Sequence, residues 1–599
     1  MKRLIVFSIC LIFMVIKLSA SGQKIEKLQR LSAENSGWTS VTGGKALCEP
    51  KKTSYGFAVL TDGKMISACT DKGKKLWERG IPGRPEPFLT VFSSDFLLTV
   101  SDKKNLSLIN PSGLTLWTAE VPFSVTEDPF IGRDSRIIVR GKNMIACYGV
   151  NGIQKWILKT NGLSSEKLLE LNDGTIIALL DALKNGNTVG IRFSPFGNII
   201  EEISFAGAIQ SAFSCPDGVL VTFNGGGAGM CRVIDGKTST KWTIPYSDRA
   251  FSNTNASGGS KFIGLPGHRA ALAICGSGAV KTRFLVFSTF DGRVSDWFNA
   301  DCDFSGSTCV SAADGGNIFI CDEKKAFVHT TEGDVLWGGL LPQKPDIFSS
   351  WNFITFTKEN YLVICSNSWA MSGFRTLYRI QKKNKERPQK PSYRNFFKNN
   401  SKSLETIDFS DRIPSQYIGT DRIKILKKGN YGEKETDFIS ALISLCDDYN
   451  RKLIQSNSGA RVEREMIYRR DTLGLQDFFS QLELFGTDTF VPYLASFLKL
   501  EKDDANFQVI LKSVSTFGYD PDGLILDAID IRAHSIPASK TRDFILICDA
   551  VYEICRFMGR PALYSHGMDI LTDFLYPQYE SYVRDYARNT LAKIARLKI

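Results

Sequence analysis

The first two thirds of the chain show the short alternation of apolar and polar positions that is typical of strands. Residues 88–117 contain four such runs: Phe88–Phe92, Phe96–Val100, Leu106–Ile109 and Leu114–Trp117. The segments between them are Ser-Ser-Asp, Asp-Lys-Lys-Asn and Pro-Ser-Gly, and these residue types tolerate the tight or left-handed backbone of hairpins. The pattern therefore predicts an antiparallel meander of four strands.

A turn glycine followed within a few residues by a tryptophan recurs through the same region. The copies that carry both residues are Gly73 with Trp77, Gly113 with Trp117, Gly152 with Trp156, Gly236 with Trp242, Gly292 with Trp297, and Gly333 with Trp337. Two looser copies have Glu201 after Gly197 and Leu377 after Gly373. Successive glycines lie 40, 39, 45, 39, 56, 41 and 40 residues apart. A period of about 40 residues with four strands in each repeat predicts a β-propeller, over residues 38–380.

The number of landmarks predicts the number of blades. Eight glycines predict eight blades, and seven is the alternative because the last copy lacks its tryptophan. A twisted four-stranded blade alone would leave apolar faces in water, so blades must stack on one another, and a tryptophan ring suits the space between neighbours. We expect the segment Trp38–Ala46, before the first blade, to help close the ring.

The first copy, Asp71-Lys72-Gly73-Lys74-Lys75-Leu76-Trp77, resembles the signature of the PQQ-like repeat family, Asp-x-x-Gly-Lys-x-x-Trp. That family includes quinone-dependent dehydrogenases. It also includes non-catalytic propellers, such as the lipoprotein subunit of the bacterial outer-membrane assembly machinery. The resemblance therefore implies a propeller and leaves two functional classes, an enzyme and an inert scaffold.

The sequence lacks the features that the resemblance would imply for a dehydrogenase, which are an adjacent cysteine pair near the quinone, a Ca²⁺ site and an aspartate base. There is no adjacent cysteine pair, and the nearest fragment to an Asp-x-Asp-x-Asp-Gly calcium loop is Asp301-Cys302-Asp303. The four histidines stand alone, without a metal-ligand or nucleophile signature. We therefore predict no catalytic residue, no cofactor and no metal site.

After residue 403 the apolar period changes from two towards 3.6, which indicates helices. One predicted helix face contains Phe544, Ile547, Cys548, Val551 and Ile554. A loose phrase ends in Gly486, Gly518 and Gly559, with spacings of 32 and 41 residues, and each glycine suits a helix C-terminal cap. Residues 403–599 resemble HEAT-like repeats, whose stacked helix pairs form surfaces for protein contacts. A plain helical bundle is the alternative.

Two segments are candidate contact surfaces. Residues 381–402 contain eight basic residues and one acidic residue, a net charge of +7, and include Lys382, Lys383, Lys385, Arg387 and Lys390. This basic linker suits either an anionic membrane surface or a solvated spacer. The insertion Ser252–His268, rich in Ser, Asn and Gly, accounts for the longest glycine interval and is either a recognition loop or a hairpin tip.

The N-terminus predicts export. Lys2 and Arg3 precede an apolar run from Leu4 to Ile16, which is shorter than the roughly 20 residues of a membrane-spanning helix and matches a secretory signal. We predict a signal peptide over residues 1–22, with an uncleaved N-terminal anchor as the alternative. Most of the 14 cysteines lie in apolar strand-like runs without a CxxC motif, as small buried hydrophobes do. A Cys302–Cys309 bridge is left open.

Composition and charge exclude few functions. Hydrophobic residues make up 43% and charged residues 23% of the chain, which is ordinary for globular proteins. A net charge of +11 over 599 residues does not by itself indicate nucleic-acid binding. The sequence thus favours an exported, non-catalytic scaffold of the cell envelope that binds envelope proteins through the propeller and the helices. A quinone-dependent periplasmic oxidoreductase and a propeller that binds glycans or small ligands are the alternatives.

Overall fold

The computed structural model describes residues 29–31, most of 37–376, and 491–597. Between 37 and 376 it leaves out residues 93, 133–134, 164–167, 172–173, 185, 195–196, 206, 216–217, 224–226, 235–236, 245–260, 275–281, 303–308, 314–315, 323, 342–350, 358–360 and 367–368. The predicted signal peptide, the basic linker, Gly236, Leu377 and Gly486 therefore lie outside the described residues, as does most of the insertion.

The first four blades follow each other along the chain, each a four-stranded antiparallel meander. Blade 1 contains β3 (Lys51–Lys52), β4 (Gly56–Leu60), β5 (Met65–Thr70) and β6 (Lys75–Gly80). Blade 2 contains β7 (Pro85–Val91), β8 (Leu97–Ser101), β9 (Asn105–Ile109) and β10 (Thr115–Glu120). Blade 3 contains β11 (Phe130–Ile131), β12 (Ile137–Arg140), β13 (Met144–Tyr148) and β14 (Gln154–Lys159). Blade 4 contains β15 (Leu169–Glu170), β16 (Ile176–Lys184), β17 (Asn187–Phe193) and β18 (Ile199–Phe205).

Four further blades complete the propeller. Blade 5 contains β19 (Ile209–Cys215), β20 (Gly218–Phe223), β21 (Gly227–Ile234) and β22 (Lys237–Ile244). Blade 6 contains β23 (Lys261–Leu265), β24 (Arg269–Ile274), β25 (Thr282–Ser288) and β26 (Val294–Ala300). Blade 7 contains β27 (Cys309–Ala313), β28 (Asn317–Cys321), β29 (Lys325–His329) and β30 (Val335–Leu340). Blade 8 contains β31 (Trp351–Phe356), β32 (Tyr361–Ser366) and β33 (Ala370–Arg375), with its fourth strand from elsewhere. The prediction of eight blades is confirmed.

The N-terminal part of the chain supplies the missing strand of blade 8. Strand β2 (Trp38–Val41) runs antiparallel to β33, with Trp38 opposite Gly373. The segment before the first blade therefore completes the last one, as expected from its position. Gly373 lies inside a strand and not at a turn, because the eighth repeat takes its outer strand from residues 38–41. A short strand β1 (Gln29–Arg30) adds to β30 in parallel orientation.

Six helices form the described C-terminal region: α1 (Val491–Leu500), α2 (Asp504–Phe517), α3 (Leu524–Ala533), α4 (Thr541–Met558), α5 (Pro561–Asp573) and α6 (Ser581–Arg596). Helices α2 and α4 end in Gly518 and Gly559, both left-handed, each with its N–H bonded to a carbonyl of the last turn. This is the cap geometry predicted for those glycines. The predicted apolar face of α4 is buried. Most helices pack mainly on the helix two positions away in order, α1 on α3, α2 on α4, and α4 on α6, whereas α5 packs mainly on α6.

Two compact units divide the chain, and they do not follow its order. The first comprises Met1–Gly63, Cys69–Leu76 and Ala206–Arg387, and the second comprises Lys64–Ala68, Trp77–Phe205 and Pro388–Ile599. Blades 2, 3 and 4 thus belong to the same unit as the helices. No helix in the described part of the chain is long and apolar enough to cross a membrane.

Candidate interaction surfaces

The repeated tryptophans pack against the turn glycine of the following blade. A Cβ on the glycine would lie 2.3–2.6 Å from the nearest ring atom in five such pairs: Trp38 on Gly73, Trp77 on Gly113, Trp117 on Gly152, Trp156 on Gly197, and Trp242 on Gly292. These five glycines have positive φ, which side chains rarely adopt. The indole N–H also donates to a carbonyl of that turn, at 2.8 Å from Trp77 to Pro111 and 2.7 Å from Trp117 to Val150. The rings therefore join neighbouring blades.

Three landmarks depart from this arrangement. Trp297 is 55% exposed, and Phe298 takes its place against Gly333. Trp297 lies five residues after its glycine, whereas the contacting tryptophans of blades 1, 2, 3 and 5 lie four or six residues after theirs, so Trp297 is on the opposite face of its strand. Trp337 is half-buried beside Leu341 in the core cluster that it shares with blade 8. Glu201, at the ring position of the fourth copy, pairs with Arg192 at 2.7 Å.

Of the two segments predicted as contact surfaces, the structure describes only residues 261–268 of the insertion. They form β23 and the turn that follows it, in which Gly267 and His268 have positive φ. Lys382, Lys383, Lys385, Arg387 and Lys390 lie outside the described residues. Their role therefore stays a prediction.

A surface that the sequence did not predict lies where the helices meet blades 2 and 3. Phe96, in the turn before β8, packs on Phe557 of α4 and on Tyr519, with ring centroids 5.8 and 6.4 Å apart. All three side chains are buried in one core cluster with residues from both parts of the chain. The helical region is thus packed directly onto the propeller in this unit, and apolar burial is the main source of its stabilisation.

Hydrogen bonds fix the position of this contact. The Asn110 amide N–H donates to the carbonyl of Arg556 in the last turn of α4, at 2.9 Å. The side-chain oxygen Oδ1 of Asn110 accepts from the backbone N–H groups of Ser112 and Leu114. Ser135 and Tyr519 share a hydroxyl hydrogen bond of 2.9 Å. One asparagine therefore shapes the blade 2 turn and caps a helix carbonyl at the same time.

Asn110→Ala should loosen the end of α4 on the propeller. The variant leaves the Arg556 carbonyl without its donor and weakens the turn, a loss of about 1–3 kcal/mol for buried hydrogen bonds. Hydrogen exchange of the amides at 553–559 should become faster. Asn151→Ala, which removes a turn hydrogen bond of the same kind in blade 3, should leave that exchange unchanged. Equal exchange in both variants would show that Asn110 acts only within its own turn.

A buried carboxylate lies next to the same contact. Asp520 is fully buried, and one carboxylate oxygen accepts from the N–H groups of Ile525 and Leu526 at the start of α3, both at 3.0 Å. Its other oxygen has no hydrogen-bond partner among the described residues. Burial raises the pKa of Asp520 to about 6, against the helix N–H groups, which lower it. The charged form is therefore disfavoured in the folded protein.

Asp520 should make the protein more stable as the pH falls. Because its folded pKa is raised, the folded state binds the proton more tightly, so stability increases as the pH falls from about 6 to about 4. About two pKa units correspond to about 3 kcal/mol. Urea unfolding at several pH values should show this increase in the wild type, and Asp520→Asn should remove it. The exposed neighbour Asp522 provides the control, since Asp522→Asn should keep the increase.

The histidines among the described residues differ in their surroundings. His534 and His566 lie 3.5–3.8 Å from Asp527, Asp530 and Asp573 on the surface of α3 and α5. His329 is buried, and desolvation lowers its pKa. Within residues 29–31, 37–376 with its gaps, and 491–597, no group of three or more His, Cys, Asp or Glu side chains is arranged to hold a metal ion. Cys302 is a free thiol, so the bridge to Cys309 is not formed.

Exposed aromatic side chains mark surfaces available to partners. Trp297 and Phe290 of blade 6 are 55% and 60% exposed. The Arg283 guanidinium lies 5.3 Å from the Trp297 ring centroid, and the Lys241 ammonium lies 3.9 Å from that of Phe290. Tryptophan and arginine are the residues most enriched at protein interfaces. These exposed aromatic side chains of blade 6 therefore have the composition of a protein contact.

Comparison with known proteins finds a similarity over most of the propeller. Residues 62–338 match the family described as "Outer membrane protein assembly factor BamB". Among solved structures, the chain is similar to BamB from Moraxella catarrhalis, with 11% identity over 58% of this chain and 100% of that chain and a TM-score of 0.40. It is similar to Sqt1 from Saccharomyces cerevisiae, with 11% identity over 57% and 99% and a TM-score of 0.40. No curated relative matches the chain. Over residues 62–338 the chain is therefore similar to PQQ-like repeat propellers of this family.

Proposed function

We propose that this protein is an exported, non-catalytic scaffold that assembles protein partners at the bacterial cell envelope. The match of residues 62–338 to a family of outer-membrane protein assembly factors carries this proposal. The tryptophan rings support a non-catalytic role, because the rings that cover a glycine make packing contacts between blades. A BamB-like propeller fold suits protein interactions in general, and the envelope as its location is the finer part of the proposal.

The helices give the scaffold a second surface. Packing of α1 on α3, α2 on α4, and α4 on α6 supports a stack of HEAT-like helix pairs, since such solenoids place equivalent helices side by side. Helix α4 is anchored on blade 2 through Asn110 and Phe96. The propeller and the helices of this unit therefore present their partners with a fixed geometry.

Cell fractionation with crosslinking tests the proposed function. A photoreactive amino acid placed at Trp297, in the full-length protein within its own cells, should crosslink to envelope proteins. The same group at Lys184 is the matched control. The Lys184 side chain is 71% exposed, and it forms an ion pair with Glu202. A protein that stays in the cytoplasm, or that crosslinks to no envelope protein from either position, would contradict the proposal.

The basic linker is the proposed contact with an anionic membrane. Its basic residues near a lipid surface contribute about 1 kcal/mol each. Replacing Lys382, Lys383, Lys385, Arg387 and Lys390 by glutamine in the full chain should reduce binding to anionic vesicles and leave binding to neutral vesicles unchanged. Unchanged binding to anionic vesicles would make the linker a spacer.

A further inference from the structure

Three cysteines lie together where the first and last blades pack on each other. The core cluster there contains Cys69, Phe57 and Val59 from blade 1 and Val363 and Cys365 from blade 8. Cys69 and Cys365 are fully buried or nearly so, at 0% and 1% exposure. The two thiols therefore belong to facing surfaces of one tightly packed interface.

Cys48 is the third thiol of this group. Ala46 belongs to the same core cluster and pairs with Thr61, and the Leu47 N–H donates to the Leu60 carbonyl. Residues 46 and 47 thus lie beside the end of β4. Cys48 follows them and is 9% exposed.

The electrostatics of Cys365 agree with this placement. Burial raises the pKa of the Cys365 thiol to about 12, and the neighbouring sulfurs of Cys48 and Cys69 raise it further. All three cysteines carry reduced thiols in the structure. A buried thiol of this kind is unreactive in the folded protein, so chemistry at these cysteines has to take place while the interface is still open.

We propose that Cys365 forms a disulfide with one of the two blade 1 cysteines, Cys48 or Cys69, which joins the first and last blades covalently. The oxidant is a disulfide compound. One protein thiolate attacks it to form a mixed disulfide, and the second protein thiolate then displaces the remaining thiol. Two protein thiols and one oxidised disulfide thus give one protein disulfide and two reduced thiols.

Such a bond would act at the junction between the two ends of the propeller chain. Blade 8 receives its outer strand β2 from residues 38–41, so pairing between β2 and β33 connects the two ends of the propeller. A disulfide from Cys365 to blade 1 closes a loop of about three hundred residues, and the loss of chain entropy in the unfolded state is larger for longer loops. The bond should therefore resist separation of blades 1 and 8.

Oxidative refolding of the full-length protein tests the proposal. Protein unfolded in urea with reductant is refolded in a mixture of oxidised and reduced glutathione, digested without reduction, and examined by mass spectrometry. We expect a crosslinked peptide pair that contains Cys365 with Cys48 or Cys69. The oxidised protein should melt several degrees higher than the same sample after reduction. Absence of that peptide pair, or an unchanged melting temperature, would overturn the proposal.

Matched variants separate this bond from general effects of cysteine replacement. Cys365→Ser should lose both the crosslinked peptide and the rise in melting temperature, whereas Cys302→Ser, at another buried free thiol of the same unit, should keep both. Cys48→Ser and Cys69→Ser leave Cys365 in place and identify its partner, which keeps the test decisive if Cys365→Ser fails to fold. A crosslink from Cys365 to any cysteine other than Cys48 or Cys69 would overturn the assignment.

Only the formation of this bond in cells rests on the proposed export, because disulfides persist in oxidising compartments. A bond that forms on refolding but is absent from protein isolated with thiols blocked would count against export and leave the chemistry of the junction intact. No bond on refolding would overturn the inference whatever the location of the protein.

Discussion

Gly113→Ala should lower the free energy of unfolding by about 2–5 kcal/mol. Gly113 has a φ of +83°, and a Cβ there would lie 2.6 Å from the Trp77 ring. The left-handed backbone costs about 1–2 kcal/mol for a residue with a Cβ. The clash adds about 1–3 kcal/mol, since the ring is held by its hydrogen bond to Pro111. Urea unfolding followed by tryptophan fluorescence should show the loss.

Gly162→Ala is the matched control for this prediction. Gly162 has a φ of +89°, and a Cβ there would meet nothing within 4 Å. The variant therefore has the same backbone cost without the ring contact, and we expect a loss of about 1–2 kcal/mol. The difference between the two variants measures the contact between blades. Equal losses would mean that the ring moves away freely and that the repeated glycine is needed only for its turn.

The repeat pattern predicted the fold because the glycines and tryptophans that define it carry the contacts between blades. A turn that needs positive φ selects glycine at Gly73, Gly113 and Gly152, and the ring of the preceding blade then leaves no room for a side chain. Both requirements recur in every regular copy. The alternation of apolar residues predicted the strands for the same reason, because the same pattern recurs in each repeat.

The glycine–tryptophan pattern did not predict the contacts of the eighth blade. Its missing tryptophan is Trp38, which lies more than 330 residues before Gly373 in the chain and packs on Gly73. A search for a ring a few residues after each glycine cannot find one that comes from the other end of the propeller. The same limit applies to Trp297, since its odd offset of five residues from Gly292 places the ring at the surface and leaves the contact to Phe298.

The contact between the helices and blades 2 and 3 was not predictable from the sequence. Asn110 begins an ordinary turn, and its side-chain oxygen accepts hydrogen bonds from backbone N–H groups of that turn, as asparagine commonly does. Its second role depends on the Arg556 carbonyl, 446 residues away. The caps at Gly518 and Gly559 were predicted because they are local. A long-range contact made once leaves no period in the sequence, so only the three-dimensional structure brings its residues together.

Glu170→Ala should lower the free energy of unfolding by about 3–5 kcal/mol. Glu170 of blade 4 lies 3.4 Å from Arg136, which precedes β12 in blade 3, and their side chains are only 5% and 2% exposed. Removing the carboxylate takes away the counter-charge 3.4 Å from a buried guanidinium, and the bond from Arg136 to the Gly174 carbonyl does not replace that charge. Urea unfolding should show the loss, and Glu170→Gln should lose somewhat less because an acceptor remains.

Burial, and not the distance between the charges, determines the size of this effect. The exposed pair of Lys184 and Glu202 in the same blade 4 is closer, at 3.0 Å, but its side chains are 71% and 57% exposed. Water screens that pair, so Glu202→Ala should change stability by less than about 1 kcal/mol. If Glu202→Ala cost as much as Glu170→Ala, the loss at Glu170 would reflect its strand and not the buried charge. A large loss at Glu170 alone would identify the Arg136 ion pair as the polar link between blades 3 and 4.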